Sequence, residues 1–253
     1  MILGKESSYR SPVLPPDSAP GVTKSGVASA QPLCYCSLIR MNIIRKPFRY
    51  RNYGVVYWLI GINVLIFAAT QFLGPKINYL MTVYLTMIPA IILEKGWVWT
   101  FVTYMFMHGG VTHILFNMFG LFIFGTQVER QMGSFEFLLY YLITGILAGG
   151  FSFGVYLLSG TPDVILLGAS GAIFAVQLAY AVLFPNSIIY LWGILPLRAP
   201  VMVLGFTALE LIFSITGTRS NVAHLTHLAG FGFGWLYFLA RLGVNPWRRL
   251  SRR

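Results

Sequence analysis

A serine framed by glycines, Gly168-Ala169-Ser170-Gly171, opens an apolar stretch that runs without a charge to Phe184. A serine hydroxyl becomes a nucleophile when a base within hydrogen-bond reach takes its proton, and imidazole is the commonest such base. The chain holds four histidines, His108, His113, His224 and His227. His113 has Asn117 four residues later, so the two share one face of a helix. His227 has Gly230 and Gly234 three and seven residues later. Side chains of the first kind, with the unpaired backbone N–H groups at a helix start near Ser170, could hold the oxyanion of an attacked carbonyl. A G-x-S-G match alone is weak, so its context must carry it.

Helix geometry separates the two later histidines. Gly230 and Gly234 lie on the face of His227, where missing side chains let the backbone approach a neighbouring helix; from His224 they are off-face. The spacing favours a Ser170–His227 pair, with His224 a polar residue at the helix entrance held by a local hydrogen bond. No carboxylate is available as a third member. Glu210 is a buried-carboxylate candidate whose role the sequence does not give. Gln177, two turns after Ser170, is a candidate for bonding a neighbouring helix. Glu129 and Arg130 read as interface anchors. Plainer readings exist: His113 and Asn117 as bonds between helices, and Gly168 and Gly171 as packing or turn glycines.

The elements that must position these groups belong to a membrane protein. Hydrophobic residues make up 57% of the 253 and charged ones only 10%, with mean hydropathy +0.71, a composition that cannot clothe a water-soluble domain. Six apolar segments fit spans of about 20 residues: 55–73, 111–128, 135–158, 168–184, 200–216 and 224–242. The expected fold class is therefore an all-α membrane protein, a six-transmembrane-helix bundle over residues 55–242. Gly145, Gly149, Gly150 and Gly154 would permit close helix approach in the third span.

Residues 74–107 are apolar but broken by Pro75, Pro89, Glu94, Lys95 and Gly96. They read as an outer loop lying on or dipping into the membrane, because the run from Thr82 to Leu93 is too short to cross. The net charge of +11 does not point to nucleic acid, since the basic residues flank apolar segments. Counted from residue 40, twelve Lys and Arg fall on the assigned inner side and three (Lys76, Lys95, Arg219) outside. The expected location is the bacterial cytoplasmic (inner) membrane, multi-pass, with both termini cytoplasmic. Residues 41–54 and 243–253 are basic cytoplasmic segments. Residues 1–40, rich in proline and carrying Cys34 and Cys36, read as a disordered tail preceding a natural start at Met41.

In this topology the second, fourth and sixth spans run inward and each starts with polar side chains: His113 and Asn117, Ser170, and His227. Polar groups at that depth are costly and mark a functional site by default. Hydrolysis there needs a wet cavity open to the outer side, which the irregular residues 159–167 could line.

These motifs together resemble the rhomboid family of intramembrane serine proteases, over about residues 53–242. The resemblance rests on Gly168-Ala169-Ser170-Gly171, on His227-Leu228-Ala229-Gly230 through Gly234, and on His113 with Asn117. It implies Ser170 as nucleophile, His227 as general base, and His113, Asn117 and Ser170 as oxyanion donors, supported by Gly168, Gly171, Phe174, Gly230 and Gly234. Phe174 stands where many members carry tyrosine, and Thr226 where alanine is frequent. The implied substrates are single-span membrane proteins cut near the outer surface, with the fifth span and residues 217–223 as the moving element. No cofactor, metal or nucleic acid is expected, and membrane lipid is the surrounding partner.

Other readings are weaker. An aspartyl protease needs two membrane aspartates, and the chain has only Asp17 and Asp163. A zinc protease of His113, His224 and His227 lacks H-E-x-x-H and a nearby glutamate base. A non-catalytic relative that binds transmembrane helices would be expected to lack the serine or histidine. A small transporter would be expected to show two related halves, and no internal repeat is found.

Overall fold

The computed structural model describes residues 48–191, 194–216 and 221–251. The tail to residue 40, Cys34, Cys36, Arg40, Arg45, Lys46, Arg219 and most of the 217–223 loop lie outside the described residues.

Helix α1, Val55–Phe72, starts where Gly54 adopts a left-handed φ of 67°. Its first N–H groups have no partner within the helix, and the carboxylate of Glu129 accepts from Val55 N at 2.7 Å and Val56 N at 3.0 Å. A negative group at a helix N-terminus is also favoured by the helix dipole. Glu129 is thus an anchor, as its position suggested, but of a different helix from its own.

Between α1 and the next long helix come α2 (Pro75–Leu85), α3 (Pro89–Lys95), α4 (Thr100–Thr103) and a 3₁₀ turn (Tyr104–Phe106). The stretch 82–93 is broken after Leu85, because Pro89 starts a new helix and Met87 is extended and bonded elsewhere. Then α5 (Val111–Gly120), a π turn (Leu121–Gly125) and α6 (Thr126–Met132) run on as one helix, Val111–Met132. Helix α7, Ser134–Leu158, follows after one glycine with φ 85°. α8 is Ser170–Leu183, two residues later than the sequence suggests at its start, since Gly168 has φ 116° and cannot be helical.

Next stands an element that the apolar pattern did not anticipate. Strands β1 (Ile188–Leu191) and β2 (Leu195–Arg198) pair antiparallel, Ile188 opposite Arg198. β1 carries β-branched Ile188 and Ile189 and aromatic Tyr190, which suit a strand, so the fold is mostly rather than wholly helical. The chain closes with α9 (Ala199–Thr216), α10 (Asn221–Ala240) and α11 (Pro246–Leu250).

Among the described residues three helices are long and apolar enough to cross a membrane: Val55–Phe72, Val111–Met132 and Ser134–Leu158. Trp58, Leu65, Phe72, Phe116 and Phe119 stand exposed on two of them, as lipid-facing residues would. Helix α8 is different: ten of its fourteen residues are buried, so it is the central element that the others surround. Its alanines and glycine make that possible. A Cβ on Gly230 of α10 would fall within the backbone carbonyl of Gly171, and one on Gly234 would strike Ala175 and the Tyr140 hydroxyl. The two helices therefore meet backbone to backbone.

The glycines of α7 do more than the sequence suggests. Gly145 and Gly149 admit Met105, Tyr104 and Met87 from the segment before α5, while Gly150 and Gly154 face open space. Gly145 also lets Ala172 of α8 come close, so the expected helix approach is made there, and the segment before α5 shares the notch.

Candidate active site

Ser170 is the first residue of α8, and its position is set by the residues just before it. Leu166 and Met87 exchange backbone hydrogen bonds, Leu166 N donating at 2.8 Å and Met87 N at 3.0 Å; Ala90 N donates to Pro162 O at 2.9 Å and Gly168 N to Tyr104 O at 2.9 Å. Tyr104 is itself tied to α7, its hydroxyl donating to Gly145 O at 2.7 Å. Leu166 and Gly168 are buried, and buried non-helical backbone needs partners for its polar groups. Here another loop supplies them.

His227 sits on the second turn of α10, and the Gly230–Gly171 contact lies one turn further along the same interface. Its Nε2 is 2.8 Å from Ser170 Oγ. The Phe174 ring stacks on the imidazole with centroids 4.3 Å apart and planes within 6°, which holds the ring with no help from a hydroxyl. Thr226 also has a use: its hydroxyl is hydrogen-bonded to Ser152 of α7 at 2.5 Å.

His113 flanks the pair from α5. A Cβ on Gly168 would lie 2.7 Å from Cε1 and Nε2 of His113 and 3.8 Å from Ser170 Oγ, so only glycine leaves room for that ring. Asn117 is buried, and its Nδ2 donates back to the His113 carbonyl at 3.0 Å. His108 lies outside the spans, its ring 5.0 Å from that of His113. Burial first, and then the neighbouring His113, push its pKa down to about 4. Gln177 is buried, and its Oε1 has no hydrogen-bond partner; the expected bond to a neighbouring helix is not made by that oxygen.

Two expectations are corrected on the far side of His227. A carboxylate does stand there: Glu210 of α9 places Oε1 3.1 Å from His227 Nδ1 and Oε2 2.7 Å from His224 Nδ1. His224 is held by this contact from another helix, not by a local bond. The 2.7 Å contact is a hydrogen bond. At His227 the oxygen is near but off the N–H direction, since Nδ1 is buried without an aligned hydrogen bond. Sequence spacing missed Glu210 because the contact spans a helix turn-around. The available signal was a lone carboxylate in an apolar segment, which is expensive unless paired.

A mostly helical, lipid-exposed bundle of this kind defines an integral membrane protein. The family model described as Rhomboid domain matches residues 95–243. The chain belongs to the rhomboid family. It is 34% identical over 146 residues to the Bacillus subtilis protein YdcA, covering 57% of this chain and 67% of that one. It is 30% identical over 201 residues to the rhomboid protease GlpG of Haemophilus influenzae, covering 79% and 98%. It is 29% identical over 190 residues to the rhomboid protease GluP of Bacillus subtilis, covering 74% of this chain but only 34% of that relative.

Proposed function

We propose that this chain is an intramembrane serine endopeptidase that cuts single-span membrane proteins through Ser170 and His227. The observation that carries the reading is the 2.8 Å contact between Ser170 Oγ and His227 Nε2, made between two helices whose backbones touch. In the reaction His227 Nε2 takes the hydroxyl proton as Oγ bonds to the scissile carbonyl carbon. The carbonyl electron pair moves onto oxygen, where the first N–H groups of α8 and the His113 and Asn117 side chains, after Asn117 turns from its helix, would stabilise it. His227 then gives the proton to the leaving nitrogen, the C–N bond breaks, and water hydrolyses the acyl-enzyme by the same relay. Glu210 is a positioning residue: its charge beside Nδ1 favours the imidazolium formed in each step.

Depth supports a membrane substrate. Fourteen residues of α8 rise only about 21 Å against a hydrocarbon thickness of about 30 Å, so a serine at its first turn lies below the surface. A substrate helix must be unwound there to present an extended peptide. The intact dyad disfavours a non-catalytic helix binder. The test is cleavage of a labelled single-span protein by purified enzyme beside Ser170→Ala and His227→Ala. Cleavage is expected from the unaltered protein alone; persistence in Ser170→Ala overturns the assignment.

A further inference from the structure

We propose that Glu210, His224 and His227 form a divalent-cation site of the zinc class, and that filling it silences the protease. The regulatory half of this rests on the reading of Ser170 and His227 given above. The site itself does not.

One ligand atom from each of Glu210, His224 and His227 lies within 4.8 Å of the others, and the Nδ1 atoms of His224 and His227 are 2.7 and 3.1 Å from the Glu210 carboxylate. A tetrahedral zinc ion with bonds of about 2.0–2.1 Å needs its ligand atoms roughly 3.3 Å apart, so small side-chain adjustments close the set. The scaffold suits such a site, because two histidines three apart share one face of α10 and the glutamate comes from α9 opposite. All three side chains are only partly exposed, at 22%, 14% and 19% for His224, Glu210 and His227. The oxygen at 3.1 Å from His227 Nδ1 is not aligned as an acceptor. An ion inserted between the carboxylate and this nitrogen would displace a contact that is not a well-aligned hydrogen bond.

Donor chemistry selects the ion. Two imidazole nitrogens and one carboxylate suit zinc, and suit magnesium or calcium poorly, because those prefer oxygen. Three protein ligands leave a fourth position for water. The hydrolytic mechanism gives His224 no role of its own, whereas the metal site uses it directly.

Inhibition follows from where the proton must go. A neutral imidazole bound to a cation through Nδ1 carries its proton on Nε2. Nε2 then donates to Ser170 Oγ across the existing 2.8 Å and has no lone pair to accept the hydroxyl proton. That same bond is the outer partner a metal-bound histidine usually has. No bond to substrate forms, and the step is undone when the ion leaves and the proton returns to Nδ1.

The experiment uses the full chain in detergent micelles. Equilibrium dialysis against zinc alone, with bound metal counted per chain, is run on the unaltered protein, Ser170→Ala, His224→Ala and Glu210→Gln; cleavage is measured in zinc and in chelator. The unaltered protein and Ser170→Ala should each hold one zinc, and zinc should slow cleavage about tenfold or more, reversed by chelator, while the other two variants lose about tenfold or more in affinity. Their ratio of cleavage in zinc to cleavage in chelator should move toward one. Where a variant fails to fold, cobalt(II) added to the unaltered protein decides the matter: four-coordinate visible bands support the site, and their absence overturns it. Zinc held no better by the unaltered protein than by a His224→Ala, Glu210→Gln double variant also overturns the site, and zinc bound one to one without slowing cleavage overturns the silencing. A protein inactive even in chelator refutes the protease reading instead, and dialysis of Ser170→Ala still decides the metal site.

Discussion

The two flanks of the Ser170–His227 pair are built in opposite ways. On one side, the segment from Met87 to Tyr104 is stitched by backbone hydrogen bonds to residues 162–168 and seated in the glycine notches of α7. On the other, α9 exposes Val201, Leu204, Leu209, Leu211, Ile212 and Ile215 and, among the described residues, reaches the pair through the Glu210 carboxylate. The serine is fixed by many weak bonds that cooperate, while among the described residues the histidine's Nδ1 side meets one charged group, Glu210. Bonding is concentrated around Ser170, and the side toward α9 carries less of it.

The contrast can be broken or sharpened by substitution. Gly230→Ala should do most harm, because its Cβ meets the Gly171 backbone, which has no side chain to give way; a loss of about 3 kcal/mol or more is expected, read as a fall in detergent melting temperature together with lost cleavage. Glu210→Gln should leave the melting temperature near that of the unaltered protein yet lower kcat about 10- to 100-fold at unchanged KM. Glu210→Asp should recover part of that loss, which a merely structural glutamate would not predict.

Acid should weaken the stitched flank through His108. Its folded pKa, about 4, lies below the ordinary value of about 6.5, so the unfolded chain binds more protons between those limits and stability falls as pH drops through that window. Between pH 7 and 5 the expected loss is on the order of 1–2 kcal/mol, seen as a lower melting temperature that His108→Asn makes less steep. Tyr104→Phe removes one hydrogen bond to Gly145 and should cost about 1 kcal/mol. Leu211→Ala, on the exposed face of α9, should change stability in detergent by less than about 0.5 kcal/mol. An equal cost at Leu211 and Tyr104 would erase the distinction between the flanks.

The serine, the histidine and the glycines that bring them together were legible in the sequence because each signal is local: a G-x-S-G at a helix start, and His227, Gly230 and Gly234 on one helical face. The long helices were legible for the same reason, from runs of apolar residues. Glu210 was not, because its partners lie 14 and 17 residues away around a turn and no periodicity links them. Nor were the Gly145 and Gly149 notches, since a glycine looks the same whether it faces a helix or a loop. The β1–β2 hairpin was hidden by apolar surroundings, where alternation in a short strand is masked.

Among the described residues, the end of the bundle away from Ser170 is tied together by polar contacts. Glu129 grips the start of α1, Ser134 accepts from Tyr53 N and donates to Glu129, and Glu136 accepts from Tyr237 of α10 and from Arg241 just after it. Phe137, Tyr140, Tyr141 and Phe238 fill the space between. On the proposed reading, water admitted at the serine end would meet these packed rings and bonded carboxylates before it could reach the opposite end. A cell could keep such a molecule open to hydrolysis without short-circuiting the ion gradients that its membrane maintains.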